Sequence, residues 1–229
     1  MRYLSLILTL FFCSPAWAAF NVSGSSQSLS LASNSAMNLP DSDWTIAGKI
    51  RNNVSSGLDG GYYEGTGSSG ATIAIGTFAD GKVFVFLADD DGTEIYVESA
   101  TTPLNNTNQH ALIVERSGTT ITLYVDGVSV ANASDAGLDA LTLNATNRFG
   151  MYNDGSNHFL NGVLADFAKW NRTLSASDKT AYSTYSSNCF PGAAWLPPMI
   201  RDYNEIVAGI AVTNNGSTVT AHPRLYNCN

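Results

Sequence analysis

The chain predicts an all-β protein, folded as an antiparallel sandwich or jelly roll, and two observations carry that prediction. Polar and apolar residues alternate with period two in short runs along most of the 229 residues, the pattern of strands with one buried face. Between the runs stand Asp80-Gly81, Asp91-Gly92, Ser117-Gly118 and Asp126-Gly127. Glycine at such points supplies the positive φ that tight hairpins demand. Closely spaced strands of this kind build sandwiches.

Taken in order, residues 1–18 read as a signal peptide. Arg2 is a short positive n-region, Leu4 to Phe12 is apolar, and Pro15-Ala16-Trp17-Ala18 offers an A-x-A site with the cut after Ala18 or Ala19. The apolar run is too short to span a bilayer, which takes about 20 residues. A lipid anchor at Cys13 is the alternative, but Phe11-Phe12 stand where that signal wants small residues. The expected location is therefore secreted or extracellular, with a cell surface or virion as the variant.

Strands are expected at Gln27–Ala32, Trp44–Ile50, Lys82–Leu87, Ile95–Glu98, Ala111–Arg116, Thr120–Val125 and Arg148–Tyr152. Residues 52–70, broken repeatedly by glycine, read as a long exposed loop. One helix is expected. Ser175-Ala-Ser-Asp178 has the form of a capping box, and the helix should run two or three turns, to about Tyr185. Residues 186–229, interrupted by Pro191, Pro197 and Pro198, read as a C-terminal extension with a hairpin around Asn214-Asn215-Gly216.

Once the signal peptide is gone, only Cys189 and Cys228 remain. In an exported chain they can pair with each other in one way, which pins the extension. Closing a loop of that size contributes about 3–4 kcal/mol in the chain-entropy description. Two free thiols or an intermolecular bridge is the alternative. Neither cysteine has a Cys or His at metal-ligand spacing. The formal charge of −8 repels phosphate backbones and anionic lipids, so it argues against nucleic-acid and membrane partners.

Five segments carry a family likeness. They are Ser28-Leu-Ser-Leu-Ala32, Asp43-Trp44-Thr-Ile-Ala-Gly-Lys-Ile50, Asn108-Gln-His110-Ala-Leu-Ile-Val114, Leu123-Tyr-Val-Asp-Gly127, and Phe159 to Asp166 with Phe167-Ala-Lys-Trp-Asn-Arg172 behind it. Over roughly residues 22–185 the chain resembles the laminin-G-like branch of the concanavalin A-like lectin/glucanase jelly-roll family. Gln109 departs from the family's usual Trp, and the tail is unusual for it. The resemblance implies a jelly-roll domain over 19–185, with a concave and a convex face, and a binding module rather than an enzyme. It also implies a structural calcium ion in many members.

Asp166 matches the family's acid in the last strand, which faces either a cation or neighbouring backbone. Independently, an acid inside Val163-Leu-Ala-Asp-Phe-Ala-Lys-Trp170 is costly to bury unless paired or coordinated. Backbone N–H groups or an arginine such as Arg172 would serve equally. A second cation candidate is Asn153-Asp154-Gly-Ser-Asn157, with Asp154 and Asn157 as oxygen ligands, and a third is Asp89-Asp-Asp91-Gly92. Each is also an ordinary solvated turn.

The expected function is an exported, non-catalytic recognition module for a glycan or an extracellular protein, assisted by calcium. Tyr62, Tyr63, Tyr152 and His158 are the binding candidates, because loop aromatics stack on sugar rings and anchor interfaces. A structural or assembly protein of a cell surface or virion is one alternative. A glucanase-like hydrolase is the other, since Glu94-Ile-Tyr-Val-Glu98 is similar to the Glu-Ile-Asp-Ile-Glu strand of retaining β-glucanases. Against it, Tyr96 replaces the central acid, and extended geometry sets the outer Cα atoms about 13 Å apart. Retaining cleavage wants carboxyls about 5–5.5 Å apart.

Overall fold

The computed structural model describes residues 18–23, 28–31, 35–53, 58–65, 70–78, 80–104, 106–135, 137–143, 147–152, 157–183, 193–195, 212–215 and 218–221. Cys189, Cys228 and Asp154 lie outside the described residues. Strands are numbered in chain order. One sheet has eight strands, in the order β10 (Val128–Ser134), β9 (Thr120–Val125), β8 (His110–Ser117), β3 (Trp44–Asn52), β14 (Asn161–Trp170), β1 (Ala18–Ser23) and β17 (Thr218–Ala221), with β15 (Ala193–Trp195) also on β14.

The second sheet has seven strands: β16 (Val212–Asn215), β2 (Ser28–Leu31), β11 (Asn147–Phe149), β4 (Leu58–Gly65), β5 (Thr72–Phe78), β6 (Val83–Ala88) and β7 (Glu94–Glu98). A small hairpin of β12 (Met151–Tyr152) and β13 (Asn157–Phe159) completes the set. Every pairing is antiparallel, for instance β3 with β8 and β5 with β6. The core forms where the inner faces meet. Trp44, Ile46, Ile50, Val114 and Leu123 from one sheet pack against Ile73, Ile75, Val85, Leu87 and Phe149 from the other.

Most of the expected strands are present, and the turns follow the glycines. Gly81, Gly92, Gly118 and Gly127 all have positive φ, and β8-β9-β10 is the expected meander. Ser175 caps the helix α1 (Ala176–Tyr182) through a reciprocal capping box with Asp178. The helix stops at Tyr182, short of the expected Tyr185.

Two expectations are corrected. Residues 52–70 are not one long loop, because Leu58–Gly65 forms β4 between β5 and β11. Its glycines hide it from a propensity argument, and pairing on both edges outweighs that weak local preference. The tail does not form a hairpin around Asn214-Asn215-Gly216 either. β16 joins β2 in one sheet and β17 joins β1 in the other.

Asp166 explains the odd acid of β14. The register with β3 slips between Ala165 and Ala168, and Asp166 has φ 60. That is a β-bulge with a left-handed residue, a conformation in which aspartate is enriched. The extra residue switches the parity of the strand. Before it, Leu164 faces the core; after it, Phe167 does, while Ala168 and Trp170 turn to the outside. Gly48 lies across from the bulge, and a Cβ there would come within 2.5 Å of the Phe167 ring.

Outward residues of β3, β8 and β14 are covered by α1 and the segment leading into it. Ala47, Ala111, Ile113, Ala168 and Trp170 pack with Leu174 and Tyr182 in a second, smaller core. Buried Glu115 lies beneath the helix and accepts from the Lys179 ammonium and, at 2.9 Å, from the Leu174 amide. Over β3, β8 and β14 this sheet face is closed by its own chain.

Candidate functional site

The outer face of the seven-stranded sheet is built differently. In Val83-Phe-Val-Phe-Leu87 both phases of the alternation are apolar. Val83, Val85 and Leu87 enter the core, so Phe84 and Phe86 point out of the sandwich. Phe84 packs with Ala74, and Phe78 and Phe86 lie against that pair. Strand β7 supplies the rest. Ile95 and Val97 are buried, and Glu94, Tyr96 and Glu98 share the outward side.

Tyr96 is 51% exposed, one of only two large hydrophobic side chains so exposed among the described residues. Its ring stacks on Phe84 with centroids 6.1 Å apart and planes 26° from parallel. Its hydroxyl donates to Glu98 Oε2 at 2.9 Å, and Lys82 Nζ donates to Glu98 Oε1 at 2.8 Å. Hydrogen bonds from Lys82 and then Tyr96 hold the Glu98 carboxyl below its ordinary range. The bond to Glu98 likewise raises Lys82. The result is a flat aromatic surface whose tilt is fixed on one side by Phe84 and at its tip by a salt-bridged carboxylate.

Cross-strand register sets further positions in a row with Tyr96, although Ala74 within it is itself buried. Tyr96 stands opposite Phe86, Phe86 opposite Ala74, Ala74 opposite Tyr63, and Tyr63 opposite Arg148. The Tyr62 and Tyr63 positions are therefore on a strand, not in the expected loop. The β12–β13 hairpin runs beside β4, so the segments carrying Tyr62, Tyr63, Tyr152, Asn157 and His158 are brought together. The side chains of those five residues lie outside the described part of the structure.

Glu94 and Glu98 do occupy one face, as the hydrolase alternative requires. However, a retaining pair needs one carboxyl whose proton is held to higher pH. Glu98 is shifted the opposite way, and its oxygens are engaged by Lys82 and Tyr96. Glu98 is therefore poorly suited to be that acid.

The calcium candidates resolve differently from one another. Asp166 Oδ2 lies 3.4 Å from Lys49 Nζ, and the two side chains are 12% and 1% exposed. An ammonium at that distance does not suit a calcium cage, which takes six to eight oxygens. Asp89 is also committed to the protein. Its carboxylate accepts from the backbone amides of Asp91, Thr93 and Asp139 at 3.1, 2.8 and 3.2 Å. Burial disfavours its ionisation, yet those donors outweigh burial and lower its pKa. Among the described residues, no three His, Cys, Asp or Glu side chains gather as a metal site.

The fold has many relatives. A family model for the concanavalin A-like lectin/glucanase superfamily matches residues 23–178. The chain belongs to that superfamily.

Solved structures agree with that assignment. The domain is similar to a carbohydrate-binding protein, so described putatively, from Bacteroides ovatus, with TM-score 0.68 and 15% identity, covering 94% of this chain and 62% of that one. It is also similar to the heptameric SAP-like pentraxin of Limulus polyphemus, with TM-score 0.62 and 12% identity, covering 91% and 96%. Domains LG4-5 of the mouse laminin alpha1 chain give TM-score 0.54 and 18% identity, covering 67% and 41%. The chain thus spans under two thirds of the Bacteroides and laminin chains. No curated protein sequence matches it. Within the concanavalin A-like domain, no described helix is long and apolar enough to cross a membrane.

Sequence reasoning met Tyr96 only as the residue replacing a catalytic acid and passed over Phe84 and Phe86. The signal was present in β6, where aromatics fill the phase that a one-sided strand leaves polar.

Proposed function

We propose that this concanavalin A-like domain is an exported, non-catalytic recognition module that binds carbohydrate through the outer aromatic face of its seven-stranded sheet. The observation that carries the reading is the exposed Tyr96 ring, stacked on Phe84 and tied at its hydroxyl to Glu98. Exposed aromatics are normal singly, whereas this one is held in a fixed orientation beside the half-buried rings of Phe86 and Phe78, and such pre-organisation lowers the ordering cost of binding. Support also comes from the likeness to the Bacteroides ovatus carbohydrate-binding protein. Tyr63 extends the same row in register, and the segments carrying Tyr152 and His158 run beside β4, so the proposed site includes them, whereas Tyr62 stands opposite the core residues Ile75 and Phe149 and is left out. Calcium stays in the proposal only through Asn153 to Asn157 and has no part at Asp166.

A glycan array probed with the wild-type chain and with the double variant Tyr96→Ala, Phe86→Ala tests this. The expected outcome is wild-type binding to a subset of glycans and loss of signal in the variant, with both chains folded by circular dichroism. A blank array for the wild type, together with stable self-association, would instead point to an assembly protein.

A further inference from the structure

The charges around the Tyr96 platform bear on which sugars it takes. Glu94 is exposed at one end of β7 and Glu98 lies at the other, with Tyr96 between them on the same side. The local cation, Lys82, is already spent on Glu98, and Asp80 sits close enough to act electrostatically on both. Along the row the next cationic position is Arg148, four strands from Tyr96. At the usual strand spacing that is about 19 Å, well beyond the reach of screened attraction at physiological salt.

Each group has a natural counterpart in a saccharide. An aromatic ring in fixed orientation receives the C–H face of a pyranose, much as it receives other flat apolar groups. Ionised carboxylates accept from sugar hydroxyls in strong, charge-assisted hydrogen bonds. A carboxylate or sulfate on the sugar would face Glu94 and Glu98 with no unengaged cation at β7 to answer it, and like charges brought together oppose binding.

We infer that the Tyr96 platform selects uncharged pyranose rings and rejects anionic sugars. The inference rests on the carbohydrate-binding reading above and narrows it to a substrate class. Tyr96 provides the stacking surface, Glu94 and Glu98 accept from hydroxyls, and Lys82 fixes the rotamer of Glu98. The patch continues to Phe86 on the neighbouring strand, so chains of linked rings bind better than a single ring.

The test is isothermal titration of the full chain with cellohexaose and laminarihexaose as neutral probes, and with hyaluronan and oligosialic acid fragments of similar length as anionic probes. Wild type should bind at least one neutral hexaose and neither anionic fragment. Tyr96→Ala should weaken neutral binding by roughly tenfold or more, the scale of a lost aromatic anchor. Glu98→Gln, which removes one charge and weakens one hydroxyl acceptor, should weaken neutral binding and at the same time narrow the preference for neutral over anionic probes. Unchanged melting temperatures separate these effects from unfolding. Neutral binding that survives Tyr96→Ala overturns the inference. So does anionic binding by wild type that Tyr96→Ala abolishes, although carbohydrate recognition would then stand. Wild type that binds neither class removes the underlying reading itself.

Discussion

Asp166 shows how one residue can decide the packing of a ten-residue strand. Its left-handed backbone makes the bulge, and its carboxylate then meets Lys49, which is buried to 1% exposure. Tyr182 adds a hydroxyl to the Asp166 carbonyl and places its ring 5.1 Å from the Lys49 ammonium. Asp166→Ala loses both the αL preference and the counter-charge, and should destabilise the fold by about 2–4 kcal/mol. Asp166→Asn keeps αL tolerance and an acceptor, and should cost clearly less. Urea midpoints for the two variants check the order, and an alanine variant no weaker than the asparagine variant would refute it. The sequence made Asp166 conspicuous as an acid in an apolar run. It could not show the bulge, because a parity switch leaves no mark in composition, and so Lys49 was not foreseen as the partner.

At the scale of elements, α1 is held to the eight-stranded sheet by packing and by one buried ionic cluster. The Lys179 ammonium lies 4.4 Å from the Tyr124 ring centroid and 3.2 Å from its hydroxyl, with Glu115 as counter-ion. Burial works against the charge on Lys179, but the bonds from Glu115 and Tyr124 prevail and raise its pKa. A raised lysine contributes stability fully below its unfolded value of 10.5 and loses it only as the pH climbs through the higher folded value. Lys179→Met strands a buried carboxylate and should cost about 3 kcal/mol. Adding Glu115→Gln removes that charge while keeping an acceptor for the Leu174 amide, so the double variant should regain part of the loss. A double-mutant cycle by chemical denaturation measures the coupling, and a double variant weaker than the sum of the singles would refute the account. The capping box of α1 was legible because Ser175 and Asp178 are local. The cluster was not, since Glu115 lies 64 residues from Lys179 in sequence.

For the whole molecule, acid should be the weak side. Asp89, Asp126 and Glu98 all have lowered pKa values in the fold. For Asp126, burial opposes ionisation and the His110 side chain and Ala111 amide overcome it. A lowered carboxylate contributes stability present above its unfolded pKa, and that contribution drains away as the pH falls through the folded value. The charge of −8 at neutrality adds self-repulsion that eases on mild acidification. Stability is therefore expected to hold or rise slightly from pH 7 to about 5, and to fall below about pH 4. Asp89→Asn should lower the urea midpoint at pH 7 and differ less from wild type at pH 3. An equal deficit at both values would show that Asp89 acts by shape alone. The all-β architecture at this scale was readable from alternation and turn glycines. The glycine-rich β4 and the separate destinations of β16 and β17 were not, because long-range pairing chose them.

The pairing of the outermost strands has a consequence for attachment. Phe20 of β1 lies opposite Val219 of β17, so the first and last described strands of the sandwich run side by side. That pair is at one edge of the eight-stranded sheet, and β16, two residues before β17 in the chain, closes one edge of the other sheet. Tyr96 belongs to β7, which terminates the seven-stranded sheet at its opposite edge and packs near β10. A tether joined at either end would grip the domain like a handle and leave the aromatic face turned outward. Such a domain can be mounted on a surface, or beside copies of itself, without covering the surface it uses to bind.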